Sequence, residues 1–194
     1  MTAQPLDPPA GAMWSPDPIR QRLASYTIED VLALPDDAPR VELLDGVMLV
    51  TPSPTAGHQQ IGNLLWHWLR GHAPTDVEPL TTIGVTVTAK DTFEPDVALL
   101  RRPVNMGRHL FGPEQVVLVV EVVSPGTKRR DRLSKPPGYA AAGIQHFWRI
   151  EQDPVHVFAY ELVEGSYKLV ADATDELVLE RPFDIRLPIR DITP

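Results

Sequence analysis

The chain has 194 residues, a mass of 21.5 kDa, no cysteine, 43% hydrophobic and 23% charged residues and a mean hydropathy of -0.14, which places it among soluble globular chains with room for one buried core. The absence of cysteine excludes a disulfide framework, thiolate metal sites and cysteine nucleophiles, and no window approaches the roughly 20 apolar residues of a membrane span. A net charge of -8 argues against a protein that coats nucleic acid without specificity.

Residues 1–22 carry Pro5, Pro8, Pro9, Pro16 and Pro18 and no apolar periodicity, so they read as a flexible extension outside a single domain spanning 23–194. The start lacks a basic segment followed by an apolar one, so the expected location is cytoplasmic. Thr27 is placed to cap a short helix over 28–34, with Glu29 and Asp30 at its positive end and Pro35 as its stop. In RVELL-DG-VMLV, two apolar runs flank Asp45-Gly46, the pair favoured in two-residue hairpin turns. Ile61, Leu64, Leu65, Trp68 and Leu69 recur at three- and four-residue spacing, which predicts an amphipathic helix from about Thr55 to Gly71.

Alternation at Ile83, Val85 and Val87 predicts a half-buried strand, and DVALL (96–100) a second. VVLVVEVV (116–123) is apolar apart from one glutamate, as expected of a central strand covered on both faces. A basic loop, SPGTKRRDR, leads to a short helix over about 137–142 that Gly143 closes. HFWRIE, VHVFAYEL and YKLVAD read as three strands separated by Asp153-Pro154 and Glu164-Gly165 turns. One or two short strands and an irregular end complete an α/β or α+β sheet domain.

A carboxylate buried without compensation costs several kcal/mol. Glu121, inside the Val/Leu strand and near its end, therefore demands a partner. Asp96 follows Pro95 at the start of a neighbouring predicted strand, so pairing of the two strands would bring two carboxylates to one sheet edge. Mg²⁺ is commonly held by one or two carboxylates with waters and substrate phosphate. A structural pair with an Arg or His is the other reading, and spacing alone leaves both open.

FEPDVALL, then LVVEVVSPGTKRRDRLSK and GYAAAGIQHFWRI, with YTIEDVLALP, RVELLDGVMLV and PSPTAGHQQI before them, resemble the Uma-two-type putative restriction endonuclease family of the PD-(D/E)XK nuclease superfamily. The resemblance covers about Tyr26 to Phe158. It implies a restriction-endonuclease-like core: a central mixed sheet flanked by helices, an N-terminal helix and hairpin, and a C-terminal β meander. It also implies a metal-dependent DNA endonuclease. Asp96 is then the aspartate of the PD motif, and Asp96, Glu121 and the Val122 carbonyl would hold Mg²⁺ or Mn²⁺.

The superfamily's usual lysine position is taken by Val123, and the matching lysine is Lys135, displaced into the following helix to assist the attacking water. Glu42 and His58 match further site positions, although Glu42 pairing with Arg40 and His58 capping a helix are the plainer readings. Tyr139 and Trp148 match aromatic positions and read as core. A residue before proline is pushed from the α region, so Lys135-Pro136-Pro137 places Lys135 just before the helix or in a distorted first turn, with Lys128 as its substitute. An inactive nuclease-fold module that binds nucleic acid or protein is the alternative function.

His67 and His72 are five apart and no H-E-x-x-H pattern occurs, which argues against a zinc site. A metal-dependent hydrolase of a small phosphorylated molecule is a third reading, which the lack of G-x-x-x-x-G-K-[ST] leaves with little support, and no nucleotide cofactor is expected. Double-strand cleavage suggests a homodimer. Charge is uneven: residues 101–150 carry 9 bases and 3 acids, while each of the segments 1–60, 61–100 and 151–194 is net acidic. Lys128, Arg129, Arg130 and Arg132 are therefore the expected DNA contacts.

Overall fold

A computed structural model describes residues 14–194. A six-stranded mixed sheet forms its centre. Its spatial order is β11 (Ser166–Ala173), β10 (Val155–Val163), β9 (His146–Gln152), β8 (Val116–Val122), β6 (Val97–Arg101) and β3 (Val77–Leu80). β8 and β9 run parallel, and the helical segment between them makes the crossover that parallel strands require; the other neighbours are antiparallel.

Every residue of β8 is buried because both faces are covered, which is why its sequence runs apolar without alternation. On one face Leu118, Val120 and Val122 pack with Ile61, Leu65 and Leu69 of α3 (Ala56–His72). On the other, Val119 meets Tyr139 of α4 (Lys135–Ala141), together with Val85 and Phe93 of a second sheet. That sheet has the order β2 (Val47–Val50), β1 (Val41–Leu44), β5 (Asp91–Phe93), β4 (Gly84–Thr88) and β7 (Leu110–Phe111). The hairpin β1–β2 turns on Asp45 and Gly46, both at positive φ, and a Cβ on Gly46 would collide with the Ala24 carbonyl. β12 (Glu176–Leu179) and β13 (Ile185–Pro188) return Leu177, Ile185 and Leu187 to the α3 side. No helix among the described residues is long and apolar enough to cross a membrane.

The fold departs from the sequence expectations in four places. Residues 1–13 of the expected extension lie outside the described residues, but 14–22 are folded. Asp17 caps α1 (Pro18–Arg22) by accepting from the Ile19 and Arg20 amides, and Arg20 pairs with Asp30 of α2 (Ile28–Leu32). Strand β3 contains Pro79, which argues against a strand in the sequence; it lies at the sheet edge, where a missing N–H is tolerated. The short strands β5 and β7 were also not expected.

The expected basic loop is helical from Lys128 onward. It widens into a π turn over Arg130–Ser134 and runs directly into α4, which begins at Lys135 rather than at about Pro137. Lys135 therefore adopts αR backbone angles, against the usual preference before proline. Its N–H bonds five residues back, to the Arg130 carbonyl, and the wider turn accommodates the rings of Pro136 and Pro137.

Gly138 lets α4 approach β5: a Cβ there would lie 2.8 Å from Phe93 Cε2, and Phe93 is itself buried and edge-on to Tyr139. Gly138→Ala is expected to destabilise the protein by about 1–2 kcal/mol, overpacking outweighing the better helix propensity of alanine. Urea denaturation followed by tryptophan fluorescence reads this, and an increase in stability would contradict it.

Candidate active site

The pairing of β6 with β8 sets the first geometry. Val97 lies opposite Val120, so one further step of the same register sets Asp96 opposite Glu121. The Asp96 N–H donates to the Val120 carbonyl at 3.0 Å, and its Oδ2 accepts from the Val122 N–H at 2.7 Å. The side chain is thereby fixed at the strand's start.

Lys135 sets the second. Its Nζ lies 2.8 Å from Glu121 Oε2, 2.7 Å from Glu42 Oε1 on β1, and 3.4 Å from Asp131 Oδ1 one turn earlier. Tyr139, one turn later, donates its hydroxyl to Glu121 Oε1 at 2.6 Å. Glu42 also accepts from the Glu94 N–H at 3.1 Å and pairs through Oε2 with Arg130 at 3.1 Å. Lys135, Glu42, Glu121 and Asp131 are each no more than 4% exposed, so none of these charges is solvated by bulk water. Mutual pairing is what makes their burial tolerable.

Four carboxylates, Glu42, Asp96, Glu121 and Asp131, face two permanent cations, Lys135 and Arg130. Burial pushes the Glu121 carboxyl well above its usual range; the Lys135 charge opposes this, and neighbouring Asp131, Asp96 and Glu42 add to it. Burial raises Asp131 as well, against the pull of Lys135. For Lys135, burial alone would lower the pKa, but Glu121, Glu42 and Asp131 together outweigh it and hold the amine protonated.

His58 stands at the third side, on the first turn of α3, with its N–H bonded to the Thr55 hydroxyl oxygen that caps the helix. Its Nε2 is 3.3 Å from Asp96 Oδ2. Burial lowers the imidazole pKa, yet the hydrogen bond and charge of Asp96 prevail and leave it raised.

One cleft of about 240 Å³ has Glu42, His58, Asp96, Glu121, Val122 and Lys135 in its walls, so the structure brings together all six non-basic-patch residues singled out in the sequence. The four basic residues divide. Arg130 turns inward to Glu42 and Arg132 pairs with Glu151, whereas Lys128 and Arg129 are exposed and without an ion pair among the described residues. Glu42 does not pair with Arg40, which instead holds Glu94 at the cleft rim. Trp148 is core, as expected, but Tyr139 is both core and a ligand of Glu121. Asp131 was missed. Its signal was the four-residue step to Lys135, which sets the two on one helical face.

The model of the Uma2 family, described as "Putative restriction endonuclease", matches residues 28–190. The chain belongs to the Uma2 family. Among solved structures it is similar to "a putative nuclease belonging to DUF820 from Anabaena variabilis ATCC 29413", at 20% identity and a TM-score of 0.69, over 86% of this chain and 96% of that one. At this identity the likeness speaks for a shared fold. No curated protein matches. In this Uma2 chain the two prolines after the lysine, the departure noted in the sequence, are compatible with a lysine that reaches the carboxylates.

Lys135→Met leaves Glu42, Glu121 and Asp131 buried without their shared cation, and is expected to cost about 3–5 kcal/mol at neutral pH. Carboxyls whose folded pKa is raised stabilise the fold below the unfolded value and lose that contribution as pH rises. The deficit should therefore shrink between pH 7 and about pH 4.5. Chemical denaturation across that range in metal-free buffer measures it; a deficit that grows on acidification would contradict the charge assignment.

Proposed function

We propose that this protein is a nuclease that hydrolyses DNA phosphodiester bonds with Mg²⁺ or Mn²⁺ bound between Asp96 and Glu121. The observation that carries the reading is the Lys135 amine on Glu121, one strand from Asp96, in a single cleft. Two features of the cleft suit a divalent cation. The four acids Glu42, Asp96, Glu121 and Asp131 outnumber the two permanent cations Lys135 and Arg130, and the buried Asp131 Oδ1 accepts no hydrogen bond. No group of three ligating side chains is assembled among the described residues. Asp96, Glu121, the Val122 carbonyl and waters would be the donors, a set of hard oxygens suited to Mg²⁺.

Such a cation lowers the pKa of bound water and offsets charge that develops on phosphate. The chain's own groups do the rest. Lys135, kept protonated by three carboxylates, serves as a fixed positive charge and hydrogen-bond donor beside the attacked phosphate rather than as a base. Tyr139 and Lys135 together fix the rotation of the Glu121 carboxylate. His58 orients Asp96 from the opposite side. Glu42 holds the lysine, and Arg130 balances Glu42. Lys128 and Arg129, which follow the rim residues Gly126 and Thr127 and are exposed, would meet the phosphate backbone.

Incubation of duplex and single-stranded DNA with purified protein tests this. Cleavage is expected with Mg²⁺ or Mn²⁺, is abolished by EDTA, and falls by at least about a hundredfold in Asp96→Asn and Glu121→Gln. Equal cleavage in EDTA or in Asp96→Asn would overturn the reading.

A further inference from the structure

The catalytic cleft does not end at His58. A smaller concavity of about 80 Å³ shares Arg40, Pro54, His58 and Asp96 with it and continues along α3 to Gln59, Asn63 and the Thr81–Thr82 turn. Gln59 and Asn63 are four residues apart and both exposed, so their carboxamides project from one face of the helix, about 6 Å apart along its axis. That spacing is close to two base steps of a nucleic-acid strand, at about 3.4 Å each.

Charge singles out the same surface. The chain carries 26 Asp and Glu, yet none falls between Gly46 and Thr75, the whole of α3 included. Beyond Asp96 and the Arg40–Glu94 pair at its mouth, a polyanion leaving the cleft along α3 meets amides and hydroxyls in place of carboxylates. Across the groove Thr82 holds a positive φ of 59°, a costly conformation for a β-branched residue, and it keeps the turn beside Asn63 in the groove wall.

We infer that this groove seats DNA flanking the scissile phosphate, with Gln59 and Asn63 hydrogen-bonding base edges. Carboxamides suit that task because each offers both a donor and an acceptor, the pattern that adenine matches in the major groove. The inference rests on the nuclease reading for its substrate, but it concerns binding and is tested without cleavage.

The test uses the full chain carrying Asp96→Asn, a labelled 20-base-pair duplex and fluorescence anisotropy at several salt concentrations. Adding Gln59→Ala and Asn63→Ala is expected to weaken binding about tenfold with an unchanged salt slope, since neutral amides release no counterions. Lys128→Ala with Arg129→Ala should instead flatten the slope. The starting protein should prefer A·T-containing over G·C-only duplexes, and the amide variant should lose that preference. Alanine suits a helix surface, so a matching thermal unfolding curve will show the fold intact. Unchanged affinity in the double amide variant, or no duplex binding by the starting protein, overturns the inference. Normal binding without cleavage by the native chain would overturn the nuclease reading and leave this one standing.

Discussion

The ammonium of Lys135 is the group around which the rest of the cleft is arranged. Three carboxylates from three separate parts of the chain, Glu42 on β1, Glu121 on β8 and Asp131 in the π turn, converge on it inside the protein. Each alone would carry a desolvation cost of several kcal/mol. Together with the lysine they form an arrangement in which removal of the cation is far more damaging than its presence is stabilising. Asp96, on the neighbouring strand, adds a fourth carboxyl group to the cleft, and the proposed cation would sit between it and Glu121.

The fold serves that arrangement with backbone devices that are costly or restrictive by themselves. The π turn carries Lys135 into helical geometry despite two following prolines, and it sets Asp131, Lys135 and Tyr139 on one face at four-residue steps. Gly138 brings that face down onto β5, and β5 pairs with β1, which carries Glu42. Positive-φ residues at Asp45 and Gly46 close the β1–β2 hairpin tightly against Ala24. A side chain at Gly46 or Gly138 would loosen the cage from a distance.

Much of this was legible in the residues. The apolar run of β8 announced a central strand, and its single glutamate announced a buried charge in need of a partner. The Asp45-Gly46 and Glu164-Gly165 turns and the period of α3 are local signals, and the structure follows them. What escaped depends on tertiary context. Pro79 hides an edge strand, because a prohibition that holds inside a sheet is relaxed at its margin. The Lys-Pro-Pro step reads as a helix boundary because a residue before proline is disfavoured in the α region, yet Lys135 adopts αR angles here, with its N–H bonded five residues back in the π turn. Arg130 and Arg132 read as DNA contacts from their sequence neighbourhood, but each points to a carboxylate brought near by folding.

The net charge of -8 is consistent with a nucleic-acid partner once its distribution is mapped onto the fold. Acidic groups line the cleft floor, and α3 and the start of the α4 segment present surfaces free of exposed carboxylates on either side. Crystals soaked in Mn²⁺ and measured for anomalous scattering test the central claim most directly. The expected map has one peak between Asp96 and Glu121, near the Val122 carbonyl, with Lys135 Nζ still on Glu121. An empty cleft at millimolar Mn²⁺, or a peak that requires Lys135 to withdraw from Glu121, would contradict it.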